Sequence, residues 1–291
     1  MSKPMDRATQ AFVAHRNLLF TVAYELLGSA ADAEDALQET WLCWADVDLD
    51  TVQDQRAYLV RIVTRRALMQ LRTRGRRKES YIGPWLPEPL LTAPDVADDV
   101  ELAESVSMAM LLVLETLAPT ARAVFVLRDV FDLSYDEIAQ AVDKSPAAVR
   151  QIAHRARAHV AARRPRALVS PAESRDVLAA FQRAIETGDL QGLLDRLAPD
   201  VVLLTDGGGL AQAALAPVVG ADRVVGVLSK IAAASLESAH VNGYPALIVR
   251  YNGQIDTVVA VRVDAGLITG FYAVRNPEKL SYMQRETPVT R

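Results

Sequence analysis

Five polar side chains recur within one short stretch: Arg150, Gln151, His154, Arg155 and Arg157. Arg and Gln carry forked donors that pair bidentately with base edges, and Arg and Lys neutralise phosphates. In the same stretch Val149, Ile152, Ala153, Ala156 and Val160 recur at helical spacing, which predicts a helix buried along that face. Arg150, His154 and Arg157 then form a separate stripe, flanked by Gln151 and Arg155. Such a helix suits a major groove, although an amphipathic surface helix with solvated arginines would show the same stripe. The preceding residues favour the groove. Ser134 and Glu137 have capping-box spacing, which predicts a short helix through Ile138, Ala139 and Val142. The turn Asp143-Lys144-Ser145 then supplies a second N-cap at Ser145, with Pro146 at the first helical position, where its missing N–H costs nothing. Two capped helices at helix-turn-helix spacing result, and between Lys144 and Arg166 there are seven Lys/Arg and no acid.

The chain has 291 residues, room for two or three domains, and is 51% hydrophobic, enough for real cores. Its net charge of −4 would argue against nucleic acid if the charge were evenly spread. It is segregated: nine Asp/Glu and no Lys/Arg from Asn17 to Gln55, then nine Lys/Arg and no acid from Arg56 to Lys78. One small domain therefore carries an acidic and a basic surface. The single cysteine, Cys43, excludes an internal disulfide, reads as a small buried residue between Trp41 and Trp44, and fits a reducing compartment. No signal-peptide core and no apolar run of membrane-spanning length is visible, so the expectation is a cytoplasmic protein with no membrane association.

Residues 6–79 read as helical. Ser29 and Asp32 start a helix with Ala36, Leu37, Thr40, Trp41 and Trp44 along its apolar stripe, and Asp32, Asp35 and Glu39 on its outer side. A long helix from about Gln55 to Arg74 buries Leu59, Ile62 and Val63 and groups Arg61, Arg65 and Arg72 on another face, ending in the charged run Arg74-Gly75-Arg76-Arg77-Lys78. A Pro-rich linker, 80–95, breaks the helices at Gly83, Pro84, Pro87, Pro89 and Pro94. A second helical block, 96–165, ends in the helix-turn-helix, and Arg163 to Pro171 is a second linker. Beyond it, residues 172–285 change character. Helices at about Glu173–Thr187, stopped by Gly188, and Leu190–Leu197 precede strand-like runs at Val201–Leu204, Ala246–Tyr251, Thr257–Val263 and Leu267–Val274. Asn252-Gly253 and Asp264-Ala265-Gly266 are hairpin signals. Helices followed by an antiparallel sheet predict an α+β domain.

The acidic stretch Asp32-Ala33-Glu34-Asp35-Ala36-Leu37-Gln38-Glu39-Thr40-Trp41 precedes the basic stretch Tyr58-Leu59-Val60-Arg61-Ile62-Val63. Leu133-Ser134-Tyr135-Asp136-Glu137-Ile138-Ala139, Ala148-Val149-Arg150 and His154-Arg155-Ala156-Arg157 follow in order. Together these resemble regions 2 and 4 of the extracytoplasmic-function sigma factors, the promoter-recognition subunits of bacterial RNA polymerase. Three further segments resemble the signatures of one subgroup, the sigma J type, which carries a SnoaL-like extension after region 4. They are Trp85-Leu86-Pro87-Glu88-Pro89, Asp206-Gly207-Gly208-Gly209 and Asn276-Pro277-Glu278-Lys279-Leu280. Leu210 stands where a basic residue commonly follows the glycines, and Glu278 replaces the usual Asp. The implied fold is multidomain: all-α sigma regions 2 and 4, then an α+β SnoaL-like cone domain.

The resemblance implies a chain that binds core RNA polymerase and directs promoter-specific initiation without being an enzyme, regulated by its fused C-terminal domain. Asp32, Asp35 and Glu39 would face the polymerase, with Trp41 either an apolar anchor or part of the core. Arg61, Arg65 and Arg72 would meet the proximal promoter element. Arg150, Gln151 and Arg155, with His154 on the same surface, would read the distal element, and Lys144 and Arg157 would hold phosphates. Trp85 and Pro87 either pack on the nearest helix or dock on the C-terminal domain. Asp206, Gly207, Gly208 and Gly209 either form a plain turn or, with Asn276, Pro277 and Lys279, touch the linker or region 2 and set activity within the chain. SnoaL-like folds include isomerases and cyclases, so a small-molecule ligand in the C-terminal pocket is a candidate partner. The alternative function is such an enzyme with a DNA-binding front end, for which Asp206, His240, Tyr251 and Asp256 are candidates. No residues show metal-ligand spacing and no cofactor is implied. Arg150→Ala is expected to cost about 1–3 kcal/mol of base discrimination and Arg164→Ala much less; equal effects across a promoter-variant panel would refute the assignment of Arg150.

Overall fold

The computed structural model describes residues 6–94, 96, 99–163, 170–229 and 235–291, and no side chains for 74–79 and 171. The charged run Arg74 to Lys78 is thus seen only as backbone, and Arg164 and most of the second linker lie outside the described residues. The chain forms two compact units, one of residues 1–77, 113–163 and 288–291, the other of 78–112 and 164–287. These cut the sequence differently from the expected domains, because 96–112, read as the start of the second helical block, packs with the C-terminal residues.

The first unit is helical. Helix α1 (Arg7–Leu27) starts where the Asp6 carboxylate accepts the Thr9 N–H and stops at Gly28 in the left-handed region. Helix α2 (Ala30–Ala45) is capped by Ser29, and α3 (Gln55–Glu79) follows. Helix α3 runs on through the charged segment expected to end it: Arg and Lys are good helix formers, and a solvated turn needs no apolar stripe. Leu19, Phe20, Leu26, Leu27, Trp44, Leu59 and Val63 are fully buried.

Helix α4 (Val100–Val106) and all but the end of α5 (Met108–Glu115) belong to the second unit. In the first, α6 (Pro119–Phe125) runs into a π turn (Val126–Val130) and then α7 (Tyr135–Val142) and α8 (Pro146–Ala161). The Ser134–Glu137 capping box forms in both directions, and the Ser145 hydroxyl accepts the Ala148 N–H. Sequence reading missed Arg122, which is 2% exposed. Its Nε donates to the Glu25 carbonyl at 3.0 Å and its guanidinium meets Glu115 at 2.5 Å, so α6 is fastened to the last turn of α1.

The second unit contains α9 (Pro171–Thr187), α10 (Leu190–Leu194), β1 (Leu197–Asp206), β2 (Val218–Val219), α11 (Ala221–Leu228), β3 (Ser235–Val241), β4 (Tyr244–Tyr251), β5 (Gln254–Asp264) and β6 (Leu267–Val274). The sheet order is β2-β1-β6-β5-β4-β3. The expected all-antiparallel sheet is corrected: β1 runs parallel to β6. Hairpin signals reveal neighbours only across short turns, whereas β1 and β6 meet across most of the domain, a pairing no local pattern encodes. The hairpins themselves form at Asn252-Gly253 and Ala265-Gly266, with a third at Asn242-Gly243, all at positive φ.

Side chains alternate between two cores, as the period of a strand requires. Leu247, Val249, Val259, Phe271 and Ala273 pack with Phe181, Ile185 and Leu228 from the helices. Ala246, Ile248, Val258, Ala260, Tyr272 and Val274 pack instead with Leu86 of the linker, Met108 and Ala109 of α5, and Leu280 and Met283 after the sheet.

The linker crosses this second face and pairs with the sheet edge. Leu91 bridges antiparallel to Val241, and the Thr92 N–H reaches the His240 carbonyl at 3.0 Å. Asn242, 1% exposed, accepts the Leu90 N–H on Oδ1 at 3.1 Å and donates from Nδ2 to the Val106 carbonyl at 2.9 Å. Asn242→Ala leaves both backbone groups buried without these partners. It should destabilise the second unit by about 1–3 kcal/mol, read from urea denaturation; a change under a few tenths would show the clasp to be slack.

Candidate functional site

Helix α8 turns Val149, Ala153, Ala156 and Val160 inward and leaves Arg150, Gln151, His154, Arg155 and Arg157 exposed, with Lys144 exposed in the turn before it. The expected base-reading stripe is thus one solvent-facing surface. Arg157 is not idle on it: Nε donates to Asp129 at 2.6 Å, and Asp129 and then Tyr135 hold its charge more firmly than in water.

On α3 the three arginines differ. Arg61 lies 4.5 Å over the Tyr58 ring, Arg65 donates to the Gln140 carbonyl of α7 at 2.8 Å, and Arg72 is exposed. Arg65 is thus engaged with the helix-turn-helix of the same unit, a contact invisible in the sequence because 75 residues separate the partners.

On α2, Asp35 and Glu39 are exposed and Asp32 half-buried. Glu39 meets Arg66 at 3.5 Å, and Glu34 pairs with Arg16 through both oxygens. Trp41 is half-buried, edge-on to Phe12 with centroids 5.3 Å apart, whereas Trp44 is the fully buried tryptophan and donates to the Ala8 carbonyl. Cys43, expected to be buried, is half-exposed, and its sulfur receives the Arg66 guanidinium at 2.8 Å.

The three short signatures converge within the second unit. Parallel pairing sets Asp206 beside Val274, so the end of β1 meets the segment leaving β6. The Asp206 backbone carbonyl accepts the N–H groups of Arg275 and Asn276. Its carboxylate, 0% exposed, accepts three donors: the Tyr81 hydroxyl at 2.6 Å, the Leu86 N–H at 2.8 Å and the Lys279 ammonium at 2.7 Å. Lys279 also donates to the Leu86 carbonyl at 2.6 Å and lies 4.3 Å from the Trp85 ring centre and 4.9 Å from that of Tyr81. Asn276 donates to the Tyr81 oxygen at 3.0 Å and caps the turn that carries Lys279. Burial first, and the Asp206 hydrogen bond second, push the Tyr81 hydroxyl far up, so it stays a neutral donor.

The glycines are needed here for close approach. A Cβ on Gly208 would strike the Asn276 amide and one on Gly209 the Ile82 side chain, and both residues sit at positive φ. A Cβ on Gly207 would strike the Ala211 carbonyl. Pro87 is buried and Trp85 half-buried, whereas Pro277 is exposed at the start of its turn. The two positions that depart from the signatures, Leu210 and Glu278, are exposed. Tyr81 was missed by sequence reasoning because it lies outside the short signature, although an aromatic hydroxyl four residues before an apolar Pro-rich motif was a usable signal.

Of the catalytic candidates, Asp206 and Asp256 have separate partners. Asp206 belongs to the clasp. Asp256 pairs with Arg275 at 2.9 Å, and although burial raises its carboxyl, the Arg275 and Thr257 hydrogen bonds bring it below the usual range. His240 is on edge strand β3, with Nε2 buried and unpartnered. Phe181 and Phe271, 5.2 Å apart, belong to the core between helices and sheet, and a cavity of about 20 Å³ on the other face has room for about one water. Among the described residues no His/Cys/Asp/Glu cluster could hold a metal, and no helix is long and apolar enough to cross a membrane.

Residues 11–77 match the model of sigma-70 region 2 and residues 107–160 that of sigma-70 region 4. The ECF RNA polymerase sigma factor SigJ of Mycobacterium tuberculosis is 36% identical over 93% of this chain and 92% of its own length. The chain is an extracytoplasmic-function sigma factor. The probable ECF sigma factor SigI of the same species is 32% identical over 97% of both chains. The crystal structure of Mycobacterium tuberculosis SigJ superposes with a TM-score of 0.76 at 32% identity, covering 94% of this chain and 98% of that one. The fold is that of sigma regions 2 and 4 followed by an α+β domain, and the function of this sigma factor is promoter-specific transcription initiation with core RNA polymerase, not catalysis.

Lys279→Met would leave the Asp206 carboxylate buried opposite a methyl group and should cost about 3–5 kcal/mol; Asp206→Asn in the same chain should recover part of it. A near-neutral single substitution in urea titrations would contradict a buried pair. A second expectation concerns acid. Burial, then the Arg175 charge, hold the His240 pKa below its ordinary 6.5, so the unfolded chain binds more protons below that pH and stability should fall as pH drops through it. His240→Gln should flatten this dependence; an unchanged slope would place its origin elsewhere.

Proposed function

We propose that the C-terminal domain of this sigma factor sets its activity by gripping the linker that joins the two sigma regions. The observation that carries this is the three-donor site on buried Asp206, where Tyr81 and Leu86 of the linker meet Lys279 of the closing segment. A linker held at Asp206 and again at Asn242 cannot freely vary the separation of the segments it joins. Trp85, Pro87, Gly207, Gly208, Gly209, Asn276 and Pro277 shape that grip.

In the same reading Arg150, Gln151 and Arg155 read base edges of the distal element, with His154 beside them, and Lys144 and Arg157 hold phosphates. Arg61, Arg65 and Arg72 serve the proximal element, Arg65 after leaving Gln140. Asp32, Asp35, Glu39 and Trp41 face the core polymerase, in the cytoplasm where polymerase and chromosome are found.

The test is promoter-dependent transcription with bacterial core polymerase, comparing the full chain with Trp85→Ala. Transcripts should require the added chain, and the substitution should change their yield at least twofold while the circular dichroism spectrum is kept. Unchanged yield from folded Trp85→Ala would count against control through the linker.

A further inference from the structure

Two arginines of the first unit converge on one aromatic ring. Tyr135 is the first residue of α7, and the two-way capping box of Ser134 and Glu137 fixes the backbone that carries it. The ring is half-buried. The Arg128 guanidinium lies 5.1 Å from its centre and that of Arg150, on the recognition helix, 5.8 Å, both within the range where a cation is drawn to a π face. Arg128 is itself held by the Leu133 carbonyl at 2.8 Å and Asp132 at 3.0 Å. A further cation, Arg157, is bound by Asp129 at 2.6 Å. Arg128 and Asp129 both come from the π turn Val126–Val130, a widened turn that offers consecutive side chains to one surface.

Arg150 and Arg157 are seven residues apart, two turns on one stripe of α8. Tyr135 reaches the first through its ring, and Asp129 holds the second. An exposed arginine has many rotamers, and ordering it on DNA costs conformational entropy. A side chain already drawn toward one direction loses less.

We propose that Tyr135 is a positioning residue for promoter readout, holding Arg150 with its ring so that this side chain reaches DNA preordered. This rests on the reading of Arg150 as a base-edge contact. It also accounts for a feature that packing leaves unexplained: a half-exposed tyrosine at the first position of a short helix, where any helix former would serve.

The test measures holoenzyme binding to a panel of promoters with single-base changes in the distal element, for the full chain, Arg150→Ala, Tyr135→Leu, Tyr135→Phe and the double variant Tyr135→Leu/Arg150→Ala. Tyr135→Leu should lower discrimination by about two- to fivefold at the base position Arg150→Ala affects, and add nothing there in the double variant. Tyr135→Phe keeps the ring and should retain that discrimination. A merely structural role predicts otherwise: weaker binding to every promoter alike, with the ratios between promoters unmoved. That result, or Tyr135→Phe as damaging as Tyr135→Leu, overturns the proposal. Full discrimination in Tyr135→Leu while Arg150→Ala loses it overturns the positioning role alone. No effect of Arg150→Ala overturns both that role and the base contact it serves.

Discussion

A carboxylate with no exposure to water must be matched by donors, and Asp206 finds them in two segments far apart in sequence. The Lys279 ammonium supplies the compensating charge, and the Tyr81 hydroxyl and Leu86 N–H come from the linker. Each donor is costly to remove, because a buried charge left without its partners pays the desolvation cost unopposed. The network therefore behaves as a unit: the linker cannot leave without stranding the carboxylate and ammonium, and the closing segment cannot leave without freeing the linker. The parallel pairing of β1 with β6 is what makes this geometry, since it brings the end of β1 alongside the residues that follow β6.

Apolar packing reinforces the same arrangement. Leu86 is fully buried in the second core with Ile248, Val258 and Val274, so the linker closes one face of the sheet. At the far edge Asn242 answers the backbone of Leu90 and Val106, and Gly243 approaches Ala103 too closely for a side chain. Rigidity from proline, burial from leucine and direction from two polar contacts act together on one short stretch.

Much of this was legible beforehand because it is local. Capping boxes, the alternation of inward and outward residues on α8, the hairpins at Asn252-Gly253 and Ala265-Gly266, and the signatures around Trp85, Asp206 and Asn276 are all encoded within a few residues. What escaped was long-range or weakly patterned. The two-residue β2 and the edge strand β3, whose residues are mostly exposed or half-buried, give no apolar alternation to read. The β1–β6 pairing, the burial of Arg122 against Glu25 and the bond from Arg65 to Gln140 depend on tertiary neighbours. The charged end of α3 was misread because composition reports solvation, not backbone conformation. Cys43 was misplaced because its neighbours Trp41 and Trp44 face different surroundings, and only the second is buried.

The central claim is that the C-terminal domain holds the linker in the free sigma factor through Asp206. The most direct measurement is native-state amide hydrogen exchange across residues 81–92 in the full chain and in Asp206→Ala. The account predicts that the Leu86 amide exchanges slowly in the full chain and becomes fast in the variant, while the amides of α8 are unaffected. Exchange of Leu86 in the full chain at the rate of unstructured peptide would contradict it.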